Sequence, residues 1–319
     1  MLRWLVIVCL FGFPAITIAE EENQSLSALG LYEEMLAKAP SAMYEGIFVH
    51  QAGGQTQSVE IIHAQHNGEI WERLLHLDGH IREIIRRGDA LYCINPDKSV
   101  EQIQQLGRTG FASKHPTNTK QLNAAYDFRT LGKQRIAGRL VEGLQLMPKD
   151  ASRHVYQLWI DKETYVPLRT ELLSRNGQML ERYQFSYFLP QNEFDPEKFE
   201  PRAKEIDLTK ALTREVLTTT EGDVLEWRLN WIPVGFNDES KNGNAPKLSA
   251  KRIYSDGIVM FSVYVEQVEK AMDEGTAQAG PTALSVKHKQ WQGMTHRITV
   301  VGEIPAATAQ RIAESVELL

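Results

Sequence analysis

The chain has 319 residues, a length that accommodates two domains more easily than one. Its composition, with 42% hydrophobic and 24% charged residues, excludes a disordered chain, a collagen-like chain and a polytopic membrane protein. The net charge of −6 argues against a nucleic-acid-binding protein, because such proteins usually carry a basic face or stripe.

The first nineteen residues (1–19) have the three parts of a secretory signal peptide. Arg3 supplies the positive charge, residues 4–18 are almost wholly apolar, and Ala19 follows Thr17 to form a small-x-small cleavage site before an acidic run. The apolar stretch is too short for a comfortable membrane span. We therefore expect cleavage after Ala19 and an exported, soluble mature chain.

Cys93 is the only cysteine that remains once the signal peptide has been removed, so no intramolecular disulfide is expected. It lies in an apolar run between Tyr92 and Ile94, which favours a buried thiol that behaves as a small hydrophobic side chain. A reactive thiol is the alternative interpretation.

The mature chain begins with a helical pattern. We predict a helix over residues 25–39 that ends at Pro40. Its apolar face consists of Leu29, Tyr32, Leu36 and Ala39.

From Tyr44 onwards the pattern is that of a β-meander, in which short apolar runs are separated by turn pairs. The turn pairs are Gly53-Gly54, Asn67-Gly68, Asp78-Gly79 and Gly88-Asp89. A second helical or irregular piece is predicted within 108–123. Further strands are predicted at 127–131, 134–147, 153–161, 167–174 and 178–188, the last two joined at Asn176-Gly177. Because a helix precedes the sheet and needs a face to bury against, an unclosed antiparallel barrel around a helix fits better than a sandwich.

A charge-rich stretch follows this sheet and predicts a solvated linker, helical around 208–216. We place a large domain at 20–200, the linker at 201–223 and a small domain at 224–319. The predicted elements of the small domain are strands at 224–232, 258–267, 283–290 and 294–301, loops at 235–249 and 269–281, and a final helix that begins at Pro305. The fold class is thus α+β, with a mixed α/β unit at the C-terminal end.

Motifs for catalysis and metal binding are absent from the sequence. It has no Gly-x-Ser-x-Gly elbow, no His-Glu-x-x-His, no Walker loop and no dinucleotide-binding Gly-x-Gly-x-x-Gly. His76 and His80 flank a predicted turn, but solvated hairpin histidines explain them better than a metal pair does. We expect a protein that is not an enzyme and that has neither a cofactor nor a metal.

Two neighbouring strands combine large apolar side chains with arginines. One strand face carries Trp71, Arg73, Leu75 and Leu77, and the next strand carries Arg82, Ile84 and Arg86. This mixture suits an amphiphile with an anionic head, which would place acyl chains on the apolar wall and the head on the guanidinium groups. The alternative is that the apolar residues face the helix and the arginines form a solvated rim.

Several stretches, in order along nearly the whole mature chain, resemble the RseB/MucB family. In the large domain they are Leu77-Asp78-Gly79, residues 82–88, Tyr126-Asp127-Phe128, residues 135–139, Leu158-Trp159-Ile160-Asp161 and Val166-Pro167-Leu168-Arg169. In the small domain they are Trp227, Trp231-Ile232-Pro233, Gly235-Phe236, Tyr254-Ser255-Asp256-Gly257, Phe261-Ser262-Val263, residues 301–305 and residues 311–314. Ile81 departs from the family pattern, in which a second basic residue would stand beside Arg82.

The resemblance implies a large domain similar to the lipoprotein carriers LolA and LolB. It also implies a periplasmic negative regulator that binds the periplasmic segment of a membrane-spanning anti-sigma factor and shields it from the site-1 protease. Lipid or lipopolysaccharide would relieve this shielding in the envelope-stress (sigma-E type) pathway, and a homodimer is plausible. The expected acyl-chain contacts are Trp71, Leu75, Leu77 and Ile84, and the expected head-group contacts are Arg82 and Arg86. A periplasmic lipid or lipoprotein carrier of the LolA type is the alternative.

Overall fold

The structure is a computed structural model. It describes residues 27–80, 82–104, 119–214, 226–242, 250–270 and 273–319. The predicted signal peptide, Ile81 and most of the piece predicted within 108–123 lie outside these residues. Among the described helices, none is both long and apolar enough to cross a membrane.

The first helix, α1, spans Ala28–Lys38, and the Ser27 side chain caps it by accepting a hydrogen bond from the Gly30 amide at 3.0 Å. Pro40 lies in the short turn that follows, as predicted. Of the predicted apolar face, Tyr32 and Ala39 are buried and Leu36 packs against the core while partly buried, whereas Leu29 is not part of the core. The other deeply buried side chains of this region are those of Ala28, Leu31 and Met35, because the buried stripe is rotated relative to the predicted one.

Twelve strands form the first sheet, with one short helix between the sixth and the seventh. The first six are β1 (Tyr44–Ala52), β2 (Gln55–His66), β3 (Glu69–His76), β4 (Glu83–Arg87), β5 (Ala90–Ile94) and β6 (Val100–Gln104). After α2 (Thr119–Ala125) come β7 (Tyr126–Ile136), β8 (Arg139–Pro148), β9 (Val155–Asp161), β10 (Pro167–Leu173), β11 (Met179–Pro190) and β12 (Leu212–Arg214).

The strand order is β12-β6-β5-β4-β3-β2-β1-β11-β10-β9-β8-β7, antiparallel except for the parallel β12–β6 pair. The two end strands, β12 and β7, do not pair with each other, so the sheet is unclosed. Helix α1 packs against β7 and β8, where the rings of Tyr32 and Phe128 lie 5.4 Å apart. The predicted unclosed antiparallel barrel around a helix is confirmed.

Local turn chemistry sets most of the hairpins of this sheet. Asn67 and Gly68, for example, both have positive φ, at 52° and 82°, as a two-residue hairpin turn of this kind requires. The prediction of one strand over 134–147 is wrong. Ala137 and Gly138 also have positive φ, at 47° and 77°, and this turn divides the stretch between β7 and β8.

The segment after β11 is docked on the sheet rather than solvated as far as Arg214, the last residue described before 226. Short 3-10 turns at Pro196–Phe199 and Leu208–Lys210 bury Phe199 and Leu208, and β12 then pairs with β6. The predicted helix around 208–216 is therefore wrong over its described part. Buried apolar side chains, together with hydrogen bonds such as that from the Arg202 amide to Glu83, attach this charge-rich stretch to the sheet.

The described residues of the C-terminal part form a six-stranded sheet, a two-stranded sheet and an α-helix of ten residues. Its strands are β13 (Trp227–Leu229), β14 (Asn237–Asp238), β15 (Lys251–Ser255), β16 (Met260–Val268), β17 (Gly275–Ala279), β18 (Thr282–Trp291), β19 (Met294–Gly302) and β20 (Val316–Leu318), and α3 is Ala306–Ser315. The six-stranded order is β14-β15-β16-β19-β18-β17, while β13 pairs with β20. The two predicted loops contain strands after all, namely β14 and β17. Strand β17, Gly-Thr-Ala-Gln-Ala, was missed because it has no apolar alternation.

One hydrophobic core extends through both large sheets, and a buried ion pair lies where they meet. Arg153, whose side chain is 0% exposed, donates from Nε to Asp256 Oδ2 at 2.6 Å. It also donates to Asp150 at 2.6 Å and to the Val234 carbonyl, while the hydroxyl of Tyr126 donates to Asp256 at 3.0 Å. A buried guanidinium needs partners of this kind, and the network supplies them from both parts of the chain.

Candidate functional site

The residues expected to contact lipid lie on or next to strands β2–β5. The register between these strands shows on which face of the sheet each strand residue lies. In an antiparallel pair, residues directly opposite each other share a face. Arg73 is opposite Ile85, and Leu74 is opposite Ile84, so the two isoleucines point to opposite sides of the sheet. We call the side of Leu74 and Ile84 the inner face, because Leu74 packs against the core that contains α1. The other side is the outer face.

Trp71 lies on the outer face, under the segment that follows β11. Its ring meets those of Phe194 and Phe199 edge-on, at centroid distances of 5.3 and 5.8 Å. The guanidinium of Arg87 lies 5.4 Å from the Trp71 ring. Ile62 and Ala64 complete this small cluster. Trp71 is therefore partly buried beneath this segment.

Leu75 is also on the outer face and is buried, with 1% of its surface exposed. Between Trp71 and Leu75, the Arg73 Nε donates to Glu83 at 2.5 Å. Leu77 follows the end of β3 and is 42% exposed, with its amide donating to the Ser58 carbonyl at 2.9 Å.

The other three predicted residues belong to the inner side. Ile84 is half-buried beside Leu74 and Cys93, its partners on the neighbouring strands. Arg82 is exposed just before β4. Arg86 is already engaged, with Nε donating to the Gly88 carbonyl at 3.0 Å and the Glu72 carboxylate 3.6 Å from Nη1. The six predicted residues thus lie on two different faces of the sheet rather than on one.

Sequence reasoning missed five residues that lie on the same inner face as Ile84. They are Phe48, Leu74 and Cys93, which are only partly buried, together with His50 and His76. Burial, followed by the positive charge of Arg82 and then His50, lowers the pKa of His76. Burial raises the pKa of the Cys93 thiol. For Leu74 and His76 the sequence contained a signal, since they alternate in β3 with the predicted residues Trp71 and Leu75.

This inner surface is chemically suited to an amphiphile. Its apolar floor combines the partly buried Phe48, Leu74 and Ile84 with Val59 and Ile61 of β2, which are buried, and Arg82, His76 and His50 supply basic side chains at its margin. His50 is held in place by a 2.8 Å hydrogen bond between Nε2 and Glu181 and by stacking on Tyr183 at 4.4 Å. Acyl chains and an anionic head would both find partners here.

A buried polar chain lies beside this surface. His63 Nδ1 is 3.1 Å from Glu72 Oε1, and its Nε2 is 3.2 Å from the Pro40 carbonyl oxygen. Tyr44 stacks on His63 at 5.0 Å. His66 is on the outer face instead, stacked on Phe194 at 4.0 Å, as expected for two strand residues three apart. Across the described ranges, no group of three or more His, Cys, Asp and Glu side chains is arranged to hold a metal ion.

The sequence matches known families along most of its length. Models described as the MucB/RseB N-terminal domain and the MucB/RseB C-terminal domain match residues 27–203 and 221–317. The sigma factor AlgU regulatory protein MucB of Pseudomonas aeruginosa is 31% identical over 282 residues, which is 86% of this chain and 85% of that protein. The sigma-E factor regulatory protein RseB of Escherichia coli K12 is 28% identical over 305 residues, covering 90% of this chain and 89% of that protein.

Solved structures agree with these matches. The complex structure of Pseudomonas aeruginosa MucA/MucB contains a chain that superposes with a TM-score of 0.71 at 28% identity, covering 91% of this chain and 98% of that one. A crystal structure of MucB superposes with a TM-score of 0.60 at 25% identity, covering 92% of this chain and 98% of that one. The chain therefore belongs to the MucB/RseB family.

Proposed function

We propose that this protein is an exported regulatory protein that binds the periplasmic segment of a membrane-spanning anti-sigma factor and shields that segment from site-1 proteolysis. The observation that carries the proposal is the likeness of both halves of the chain, in order, to sigma factor regulatory proteins, one of which was solved with MucA. The predicted signal peptide at 1–19 supports a periplasmic location. The large domain at 20–200 and the small domain at 224–319 would act together.

The mechanism is competitive occupancy. A protease cannot cleave a segment that is held against another protein, so the extent of shielding follows the affinity of the complex. The protein would have one conformation that binds the partner and one that does not. A lipid that binds the second more tightly than the first weakens partner binding, and the ratio of its two affinities sets the upper limit of that effect. The buried Arg153–Asp256 pair would have to be rearranged if those conformations differ in the placement of the two domains.

Calorimetry on residues 20–319 with the periplasmic segment of the anti-sigma factor tests this function. We expect saturable binding and, in a parallel digestion, slower cleavage of the segment by the site-1 protease. Binding should weaken when lipopolysaccharide or an acidic phospholipid is titrated in. The absence of binding with and without lipid would contradict the proposal.

We further propose that the inner face around Ile84 and Arg82 is where lipid binds. The proposal is supported by the partly buried apolar floor and the cationic margin described above. Cys93 is a native probe of this surface, because it is opposite Ile84 and is the only cysteine left after signal-peptide cleavage. We expect acidic phospholipid to slow alkylation of Cys93.

A matched control places the thiol on the other face of the same strand, in the double variant Tyr92→Cys, Cys93→Ala. Lipid should leave its alkylation rate unchanged, since Tyr92 packs under the segment that contains Leu208. Equal slowing at both positions would contradict an inner-face site.

The open inner face would also suit a lipid or lipoprotein carrier. Transfer between donor and acceptor vesicles separates the two functions, because a carrier accelerates exchange at catalytic concentrations and a regulator does not. Accelerated exchange without partner binding would replace the regulator proposal with the carrier.

A further inference from the structure

The ends of the two large sheets differ in how they are protected against pairing with another strand. An exposed edge presents unpaired N–H and C=O groups, and proteins blunt such edges with short strands, charged side chains or bulges. Two of the four end strands are short, since β12 has three residues and β14 has two. The third, β7, is long but carries Arg129, Lys133 and Arg135 and has a register shift between Thr130 and Gly132.

Strand β17 is the exception among the four. Its five residues, Gly275–Ala279, are all exposed, and none of them is charged or proline. Its pairing with β18 runs from Gly275 opposite Val286 to Ala279 opposite Thr282 without a register shift. Nothing lies within 4 Å of the position that a Cβ atom on Gly275 would occupy. This edge is therefore regular, uncharged and exposed over Gly275–Ala279, and only just beyond it, at Gly280, does the chain come close to Leu180 of β11.

We propose that an extended segment of the anti-sigma factor adds to β17 as a seventh strand of the small-domain sheet. This inference rests on the proposed function and assigns the partner a place on the surface. In strand addition, the backbone of the incoming segment forms hydrogen bonds with the edge strand. The peptide bonds of that segment are then no longer accessible to a protease. Among the described end strands of the two large sheets, β17 supplies an edge suited to such pairing.

The side chains on the two faces of β17 indicate which segment would fit. On the α3 side, Thr276 bonds Ser285 at 2.9 Å and Gln278 donates to the Gly280 carbonyl at 3.1 Å, so their polar groups are already engaged. On the other side, Ala277 is opposite Leu284, which is 43% exposed. A segment with an apolar side chain beside Ala277 and uncharged neighbours would cover Leu284.

Hydrogen–deuterium exchange of residues 20–319, with and without the periplasmic segment of the anti-sigma factor, tests this directly. We expect the outward amides of 275–279 to exchange at least about tenfold more slowly in the complex. The amides of 129–133 on β7 should not change, and they serve as the internal control. Binding by calorimetry without protection of 275–279 overturns the strand proposal and leaves the proposed function standing.

A variant pair provides a second readout. Ala277→Lys places a charged side chain on β17, as β7 already has, and such charges oppose pairing with a further strand. This variant should bind the partner at least about tenfold more weakly. Leu131→Lys on β7 should change binding less than about twofold, and both variants should unfold at the wild-type temperature because both positions are exposed. Equal affinities of wild type and Ala277→Lys would overturn the proposal. Protection of 275–279 that grows with protein concentration, without partner, would assign the edge to a second copy and overturn it as well.

Discussion

The outer and inner faces of strands β2–β5 are formed by the same strands, but different parts of the protein cover them. Ile85 on the outer face is fully buried, while its neighbour Ile84 on the inner face is only half-buried. The outer face is sealed by Phe199 and Leu208 from the segment after β11. On the inner face, α1 packs near β7 and β8, and burial decreases from Val59 and Ile61 of β2, which are buried, to Ile84 and Cys93 of β4 and β5, which are not. The comparison shows that a segment more than a hundred residues away decides which side of these strands is surface.

The largest effect is expected from removing part of the outer cover. Phe199→Ala deletes a buried ring that packs on Trp71, and should lower the free energy of unfolding by about 3–5 kcal/mol. Urea denaturation measures this loss. Partner and lipid affinities should remain at wild-type values under conditions where the variant is folded. A loss below about 1 kcal/mol would mean that the outer face is not sealed.

The two adjacent isoleucines provide a matched pair. Ile85→Ala should lower the free energy of unfolding by about 2–5 kcal/mol, because its side chain is fully buried, and Ile84→Ala should cost clearly less. Only Ile84→Ala should weaken binding to vesicles of acidic phospholipid. The reverse order in either measurement would contradict the assignment of the two faces.

The pH dependence of stability should report His76 on the inner face. Its pKa in the folded protein is below the ordinary value of 6.5, so the unfolded chain binds more protons as the pH falls below 6.5. His76 therefore makes no difference above that pH and destabilises the protein as the pH falls through the window between 6.5 and its lower folded pKa. Urea denaturation across this window should show a flatter pH profile for His76→Gln. An unchanged profile would show that His76 is not the group responsible.

The smallest stability effect is expected at Arg82. Because this side chain is exposed, Arg82→Ala should change the free energy of unfolding by less than about 0.5 kcal/mol. It should nevertheless weaken binding to acidic vesicles at low salt, and high salt should reduce the difference between variant and wild type. Leu77→Ala, also exposed but uncharged, is a control for the salt effect. A salt-independent loss at Arg82 would point to packing rather than charge.

By itself, the sequence determined the features that depend on neighbouring residues. Asn67-Gly68 forms its hairpin turn because both positions adopt positive φ, and Pro40 follows α1 because proline cannot continue a helix. The final helix begins directly after Pro305 and buries Ala309, Ile312 and Ala313 on one side. The family resemblance, which the comparisons confirm, also came from the order of short stretches along the chain.

Only the tertiary structure decided which faces are covered and which distant side chains meet. In a strand, successive side chains point to opposite faces, so the sequence places Ile84 and Ile85 on different faces. It does not indicate which of these two apolar faces is buried, because the covering segment is remote in sequence and rich in charge. The same limit applies to Arg153 and Asp256, whose contact spans 103 positions, and to β17, whose pattern contains no apolar alternation. Local propensity fixes turns and helix ends, whereas burial and sheet edges depend on contacts that form only when the whole chain is packed.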